Sequence, residues 1–208
     1  MILQVNHKHY FKTKYDTKGR FCSYWHQINE IILLNPRTIL EIGIGNGLVS
    51  NYLKQRGLQV TTIDIDQQLN PDKVGSVLAI PFPDKSFEVV ACFEVLEHIP
   101  FSDFSQALKE IYRVTTSFAI LSIPDCSKTY RLFVQLPFIG EIRKIITIPS
   151  IRPEVHKLNG EHYWEINKAG FSLKKIISYI NEVGFEILKT FRVFEKTYHR
   201  FFVLSKKE

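Results

Sequence analysis

Three glycines at alternate positions, Gly43, Gly45 and Gly47, follow Glu41 at the same spacing in the stretch TILEIGIGNG, residues 38–47. Glycine there lets the backbone pass close under a bound molecule. A helix starting directly afterwards offers unpaired N–H groups and a partial positive charge. The chemistry this suits is the holding of a nucleotide, and the spacing narrows which one. In the dinucleotide fingerprint G-x-G-x-x-G the third glycine would fall at Leu48. A phosphate-cradling P-loop would end in Gly-Lys-Ser/Thr, which Asn46-Gly47-Leu48 does not. Nucleotide-binding α/β folds place an acid on the ribose hydroxyls about twenty residues past the loop. Asp64 stands there, and Asp66 is its competitor.

A second group of residues could move a proton. His98 lies just beyond the apolar run FEVVACF, and His162 lies in GEHYWEI with Glu161 and Glu165 as neighbours able to orient it. Imidazole suits proton transfer near neutral pH. The alternative for His98 is packing or capping of the next helix, and for His162 a place on the surface. Glu94 ends the FEVVACF run and would lie near the nucleotide. Glu94 and His98 are four apart, one face of a helix, but no third metal ligand is evident, so no metal is expected.

The elements that must position these groups follow from periodicity. Residues 38–42 are short, apolar and β-branched, a buried strand. Residues 48–55 have helical spacing, and 58–63 form a second strand ending at Asp64. Residues 74–77 read as a short strand, 81–84 as a turn, and 87–93 as a strand apolar on both faces, central in a parallel sheet. A helix over 104–114 leads to a buried strand over 118–123, stopped by Pro124. Ser172 is an N-cap for a helix closed by Gly184, and residues 185–194 and 198–205 form an antiparallel hairpin. Residues 21–34 have helical spacing ended by Pro36, and residues 1–18 read as a partly ordered arm. Residues 125–170, with Pro137, Pro149 and Pro153 among apolar clusters, fit no unit of the alternation and read as an insertion.

Size allows one α/β domain over the 208 residues. Sixteen Phe, nine Tyr and two Trp argue against extended disorder. No apolar run approaches the ~18–20 residues of a membrane helix. The N-terminus is too polar for a secretory signal. Cys22, Cys92 and Cys126 are far apart, so neither a disulfide framework nor a zinc knuckle is indicated and a reducing cytoplasm is expected. The net charge of +6 resides at the ends, with Lys8, Lys12, Lys14, Lys18 and Arg20 in one and Lys189, Arg192, Lys196, Arg200, Lys206 and Lys207 in the other. That pattern is ordinary surface charge or a basic face for an anionic partner.

The spacing E-x-G-x-G-x-G from Glu41 to Gly47 resembles motif I of the class I S-adenosylmethionine (SAM) methyltransferases. Ile80-Pro81-Phe82, Ser86-Phe87-Glu88 and Leu96-Glu97-His98 stand where the type 11 methyltransferase family has L-P-F, S-F-D and L-E-H. The resemblance implies a Rossmann-like, seven-stranded, mostly parallel sheet with an antiparallel last strand. To this is added an inserted cap, residues 125–170, and an N-terminal arm and helix, residues 1–37, that closes over SAM. It implies SAM as cofactor, held by Glu41, Gly43, Gly45, Gly47, Asp64, Ser76 and Glu94, with Tyr24 and Trp25 near the sulfonium, where an aromatic face attracts a cation. Core packing is the alternative for both aromatics.

Two features depart from the family. Ser76 replaces the Asp that takes the adenine amino group, and the Pro-Gly-Gly turn before the next strand is absent. No Asn/Asp-Pro-Pro-Tyr/Phe or Pro-Cys follows residues 87–93, which disfavours base chemistry on nucleic acid. The expected acceptor is an oxygen of a small molecule, lipid-like compound or sugar, with His162 or His98 as catalytic base. The inserted cap would form the acceptor wall, or else a homodimer contact. The rivals are an RNA methyltransferase, resting on the basic ends, and a non-catalytic SAM-binding module.

Overall fold

The parallel core of the sheet is built from short runs of β-branched and apolar residues, which suit a pleated surface buried on both sides. The computed structural model describes residues 7–207 except 139, 151 and 159; the first six residues of the expected N-terminal arm therefore lie outside the described residues. In chain order the strands are Thr38–Ile42 (β1), Gln59–Asp64 (β2), Lys73–Val74 (β3), Phe87–Phe93 (β4), Thr115–Pro124 (β5), Lys128–Leu136 (β6), Gly140–Ile148 (β7), Phe185–Arg192 (β8) and His199–Lys206 (β9). The helices are Lys18–Leu33 (α1), Leu48–Gln55 (α2), Phe104–Val114 (α3) and Leu173–Val183 (α4), with short 3-10 turns, among them His7–Phe11 and Leu96–His98.

The main sheet has seven strands in the order β3-β2-β1-β4-β5-β9-β8. β3, β2, β1, β4 and β5 pair in parallel, and β9 runs antiparallel to both β5 and β8. This is the Rossmann-like arrangement expected of the family, with the antiparallel strand inserted between the fifth and the edge strand. Strand residues alternate between faces. Leu40, Ile42, Val90 and Cys92 meet Leu108 and Ile111 of α3 and Ile176 and Ile180 of α4 on one side. Ile39, Val89, Ala91 and Phe93 meet Ile31 of α1 and Val49 and Leu53 of α2 on the other. β4 thus feeds both cores, as its unbroken apolar run requires.

Helix ends follow the capping chemistry. Ser172 accepts from the Lys175 N–H, and Gly184 closes α4 with a left-handed φ of 109°. Thr17 caps α1, which starts three residues earlier than its apolar spacing alone indicates.

The insertion differs from a proline-stiffened apolar wall. β6 and β7 form a separate two-stranded antiparallel ribbon. One of its faces is tied to the β8–β9 turn: the Thr129 hydroxyl donates to Thr197 at 3.0 Å and Arg143 pairs with Glu195 at 2.9 Å. Tyr130, Leu132 and Ile146 are exposed on the other. The returning stretch is anchored by Trp164, fully buried against Phe101, Phe104 and Phe171, its indole N–H donating to the Ile99 carbonyl at 3.2 Å. Trp164→Ala is expected to lower the unfolding free energy by about 3–5 kcal/mol, as for other buried aromatic truncations. Urea denaturation of the two proteins measures it, and a loss within error of zero would mean the anchor is dispensable.

Candidate active site

The glycine loop leaves the carboxyl end of β1 and turns into α2. Gly43 has a φ of 81°, and a Cβ there would lie 2.4 Å from Val95 Cγ2, so only glycine lets the loop and the exit of β4 approach this closely. Asp64, at the carboxyl end of the neighbouring β2, braces the loop. One carboxylate oxygen accepts from the Ile44 N–H at 3.0 Å and the other from the Asp66 N–H at 2.9 Å. Asp66 is buried and occupied as the cap of the turn Gln67–Leu69, accepting from the Gln68 N–H. Ser76 follows β3 along the same edge, and its hydroxyl accepts from the Leu78 N–H at 3.1 Å. Glu41 is buried beneath the loop and reaches the cavity above it.

That cavity is about 60 Å³, lined by Glu41, Gly43, Gly45, Tyr24 and Glu94 and roofed by residues that sequence reasoning passed over. Tyr10 lies over Gly45, its ring 3.7 Å from where a Cβ would stand. Arg20 sits 3.8 Å above the Tyr15 ring and donates to its hydroxyl at 3.0 Å. Burial, with Asp64 and Asp66 nearby, pushes the Tyr10 phenol up to about 12. Residues 1–18 have no period that would announce this, because a single 3-10 turn leaves none. Tyr24 is buried at the cavity, whereas Trp25 is 59% exposed, its ring edge-on to His26. Trp25 therefore does not line this cavity: neighbours on a helix diverge by about 100°, and only one of the two can face inward.

A second cavity of about 310 Å³ adjoins the first and shares Tyr10, Tyr15, Arg20 and Glu94 with it. Its other walls include Glu97, His98, His162, Glu165, Tyr198 and His199. The structure brings His98 and His162 together, ring centroids 5.0 Å apart. His98 Nδ1 is 2.7 Å from the Glu161 carbonyl oxygen, so it is the backbone of Glu161 that orients this ring. His162 Nδ1 is 2.8 Å from Glu165 Oε1, and the same carboxylate also receives the Cys126 thiol and the Tyr198 hydroxyl. Burial raises the Glu165 carboxyl, but those three donors outweigh it and hold it down at about 2. Burial lowers His98 and His199.

Glu94 joins the two cavities. It has a left-handed φ of 53°, accepts from the Ser122 hydroxyl at 2.7 Å, and lies 3.5 Å from His199 Nε2. His199 is held in turn by Ser23 at 2.7 Å. Glu94 and His98 do not share a helix face, because the chain between them forms only the turn Leu96–His98. Among the described residues the β6–β7 ribbon lines neither cavity; from the insertion, Glu161, His162 and Glu165 do. Glu97, Tyr198 and His199 escaped sequence reasoning, the first inside the quoted L-E-H motif and the others inside a strand pattern.

Residues 40–123 match a family described as a methyltransferase domain, and residues 3–75 match that of the tellurite resistance protein TehB. Over these residues the chain is similar to SAM-dependent methyltransferases, and its solved structural neighbours include such enzymes. A ubiquinone biosynthesis O-methyltransferase of Pseudomonas entomophila is 33% identical over 103 residues, 42% of this chain and 43% of that protein. A demethylmenaquinone methyltransferase of Deinococcus radiodurans is 28% identical over 139 residues, 54% of this chain and 57% of that one. The chain thus spans about half the length of these curated relatives. In fold it resembles the 1,6-didemethyltoxoflavin-N1-methyltransferase of Burkholderia thailandensis, crystallised with 1,6-didemethyltoxoflavin and S-adenosylhomocysteine. The TM-score is 0.64 at 13% identity, covering 95% of this chain and 82% of that one. The cofactor of this methyltransferase family is SAM. No helix among the described residues is long and apolar enough to cross a membrane.

The buried acid under the loop generates a pH dependence. Burial raises Glu41 from 4.5 to about 8, against the opposing pull of Ser50 and Lys54. Between those values the unfolded chain has released the proton while the folded chain keeps it, so this group makes stability fall as pH rises through the window. Glu41→Gln is expected to remove that part of the slope. Urea unfolding of both proteins at about pH 5 and about pH 8 checks it; an identical pH response in the two would refute the assignment.

Proposed function

We propose that the chain is a SAM-dependent methyltransferase whose cofactor lies in the glycine-loop cavity and whose acceptor, an oxygen of a small or lipid-like organic molecule, enters the histidine-lined cavity beside it. The observation that carries this reading is the meeting of the two cavities across Tyr10, Tyr15, Arg20 and Glu94. A methyl transfer needs two molecules placed end to end within a dry enclosure, and adjoining chambers supply it. The names of the relatives, one in ubiquinone biosynthesis and one for demethylmenaquinone, favour an acceptor of that size over a nucleic acid. Residues 1–208 act as one unit in this reading.

The residues present fit the cofactor. The backbone of Gly43, Gly45 and Gly47 forms a cradle without side chains, and a Cβ on Gly45 would enter the space above it. Asp64 is tied to the loop through backbone donors, yet each carboxylate oxygen can accept a further hydrogen bond, here from the ribose hydroxyls. In this reading the Ser76 hydroxyl takes the adenine amino group, and the Tyr24 ring and Glu94 carboxylate meet the sulfonium. Tyr10 fills part of the cradle in this conformation, so the His7–Phe11 turn shifts to admit the ligand and then covers it.

Bound SAM supplies a methyl already activated by its sulfonium. What remains for the chain is to align the acceptor oxygen, exclude water and draw off the proton. His162 is suited to the last task. Its Nδ1 proton is held by Glu165, which presents the Nε2 lone pair and steadies the imidazolium once formed. His98, packed against it, positions the ring.

Calorimetry with S-adenosylhomocysteine tests the cofactor half: wild-type protein should bind it, and absence of binding would sink the reading. Asp64→Ala forfeits charge-assisted hydrogen bonds of roughly 1.5–3 kcal/mol, so affinity should fall on the order of tenfold or more. An unchanged dissociation constant would remove Asp64 from the ribose. Gly45→Val should abolish binding while circular dichroism stays native. For the acceptor half, His162→Ala is expected to bind S-adenosylhomocysteine like wild type and to lose methyl transfer to quinol-type acceptors; undiminished turnover would end its assignment as base.

A further inference from the structure

The floor of the histidine cavity holds a carboxyl group with nothing to bond. Glu97 is fully buried, and neither of its carboxyl oxygens has a hydrogen-bond partner. Its neighbours Leu96 and Ile99 are wholly buried core residues. A carboxyl group without donors in such a place is unfavourable whether ionised or protonated. A cation bound beside it would supply the missing partner.

Two imidazoles stand beside it. One ligand atom from each of Glu97, His98 and His162 lies within 4.8 Å of the others, and His98 Nε2 is 3.9 Å from Glu97 Oε1. Ligands at about 2.0–2.2 Å from a shared zinc ion stand roughly 3.4 Å apart, so closure on the order of an ångström brings the trio to bonding distance. Both rings are oriented from behind. The Glu161 carbonyl can only accept, so His98 carries its proton on Nδ1 and its lone pair on Nε2. The Glu165 carboxylate imposes the same tautomer on His162. A carbonyl or carboxylate behind Nδ1 is the arrangement found around metal-ligating histidines. The surrounding charge agrees: Glu94, Glu97, Glu161 and Glu165 line this cavity against Arg20 and Lys196.

We propose that Glu97, His98 and His162 form a divalent transition-metal site, two imidazole nitrogens and one carboxylate oxygen, with its remaining positions open to the acceptor. Imidazole with carboxylate, and no thiolate, suits zinc, manganese, iron(II) or cobalt(II) better than magnesium or calcium. The ligand that spacing around Glu94 and His98 did not supply comes from His162, sixty-odd residues further along the chain. The inference rests on the reading of this cavity as the acceptor's place, and it changes how the two histidines act there. A cation there would acidify an acceptor hydroxyl bound to it, whose proton would leave to solvent at the cavity mouth. The oxygen would then displace sulfur in one step, the carbon–oxygen bond forming as the carbon–sulfur bond breaks with its electron pair left on sulfur.

Chelator-treated full-length protein titrated with cobalt(II) tests this, with S-adenosylhomocysteine calorimetry on the same sample. One equivalent of cobalt(II) should bind and give visible ligand-field bands. Glu97→Gln, which keeps the side chain's shape, and His162→Ala should each abolish the bands while circular dichroism stays native. Glu165→Gln, which leaves all three proposed ligands in place and removes the carboxylate behind His162, should weaken cobalt(II) binding roughly 10–100-fold. No bands at saturating cobalt(II), in protein that binds S-adenosylhomocysteine, would overturn the metal site and leave the methyltransferase reading standing. Bands in protein that fails to bind S-adenosylhomocysteine would do the reverse. Bands surviving in both Glu97→Gln and His162→Ala would overturn this set of ligands.

Discussion

Parallel pairing of β1 with β2 on one side and β4 on the other is the constraint on which the site depends. Because Ile42 is in register with both Ile63 and Cys92, the three strands end close together, and the residues at or just past each end face a common edge. Gly43, Asp64 and Glu94 are those residues, although 21 and 30 positions of chain separate them in turn. Parallel strands need long crossovers, so no local structure could have joined these groups. The hydrogen bond from Ile44 to Asp64 and the close approach of Gly43 to Val95 are consequences of that register.

The acceptor side depends on a different device, the return of the insertion onto the sheet. Asp125 leaves β5 fully buried and gathers the Ser127 N–H and hydroxyl, the Asn167 amide and the Arg200 guanidinium. Burial alone would raise this carboxyl, but these donors hold it below its ordinary value. The two ends of the insertion and the last strand are therefore pinned at one point. Between that point and Trp164, the chain has little freedom in where it sets His162 and Glu165. The exposed ribbon can vary without disturbing them, since it touches the body through the β8–β9 turn alone among the contacts described above.

Much of the fold was legible because alternating apolar runs and capping residues act locally. β4, α2, α3 and α4 have the boundaries that their periodicity predicts, since each meets a turn residue or cap where the pattern stops. The ribbon was not legible: its proline and glycine lie at the tip, where they read as breaks in a loop, and its exposed apolar face mimics a buried cluster. In the candidate site, the glycine loop and the Asp64 that braces it were visible through spacing, since backbone geometry dictates them. Trp25 falls outside the cavity because composition cannot tell which of two adjacent helical aromatics faces in. Glu97 was hidden because an acid within an apolar run gives no sign of burial, and Tyr10 because a single 3-10 turn has no period.

The placement of Tyr10 and Glu94 gives the two cavities a common boundary, and this has a consequence for how the site fills. Tyr10 rests on Gly45 of the loop, and its hydroxyl is held neutral by burial and by nearby acids. Displacing it from the cradle necessarily alters a wall of the second cavity, because the same ring lines both. Glu94 cannot move in compensation. Its left-handed backbone is clamped by its own N–H to the Ser122 carbonyl at 3.0 Å, and its side chain by the Ser122 hydroxyl. One boundary residue therefore belongs to the N-terminal arm and the other is fixed to the sheet. In the reading proposed above, a ligand in the first chamber that displaced Tyr10 would reshape the second, while the sheet-bound carboxylate would stay in place.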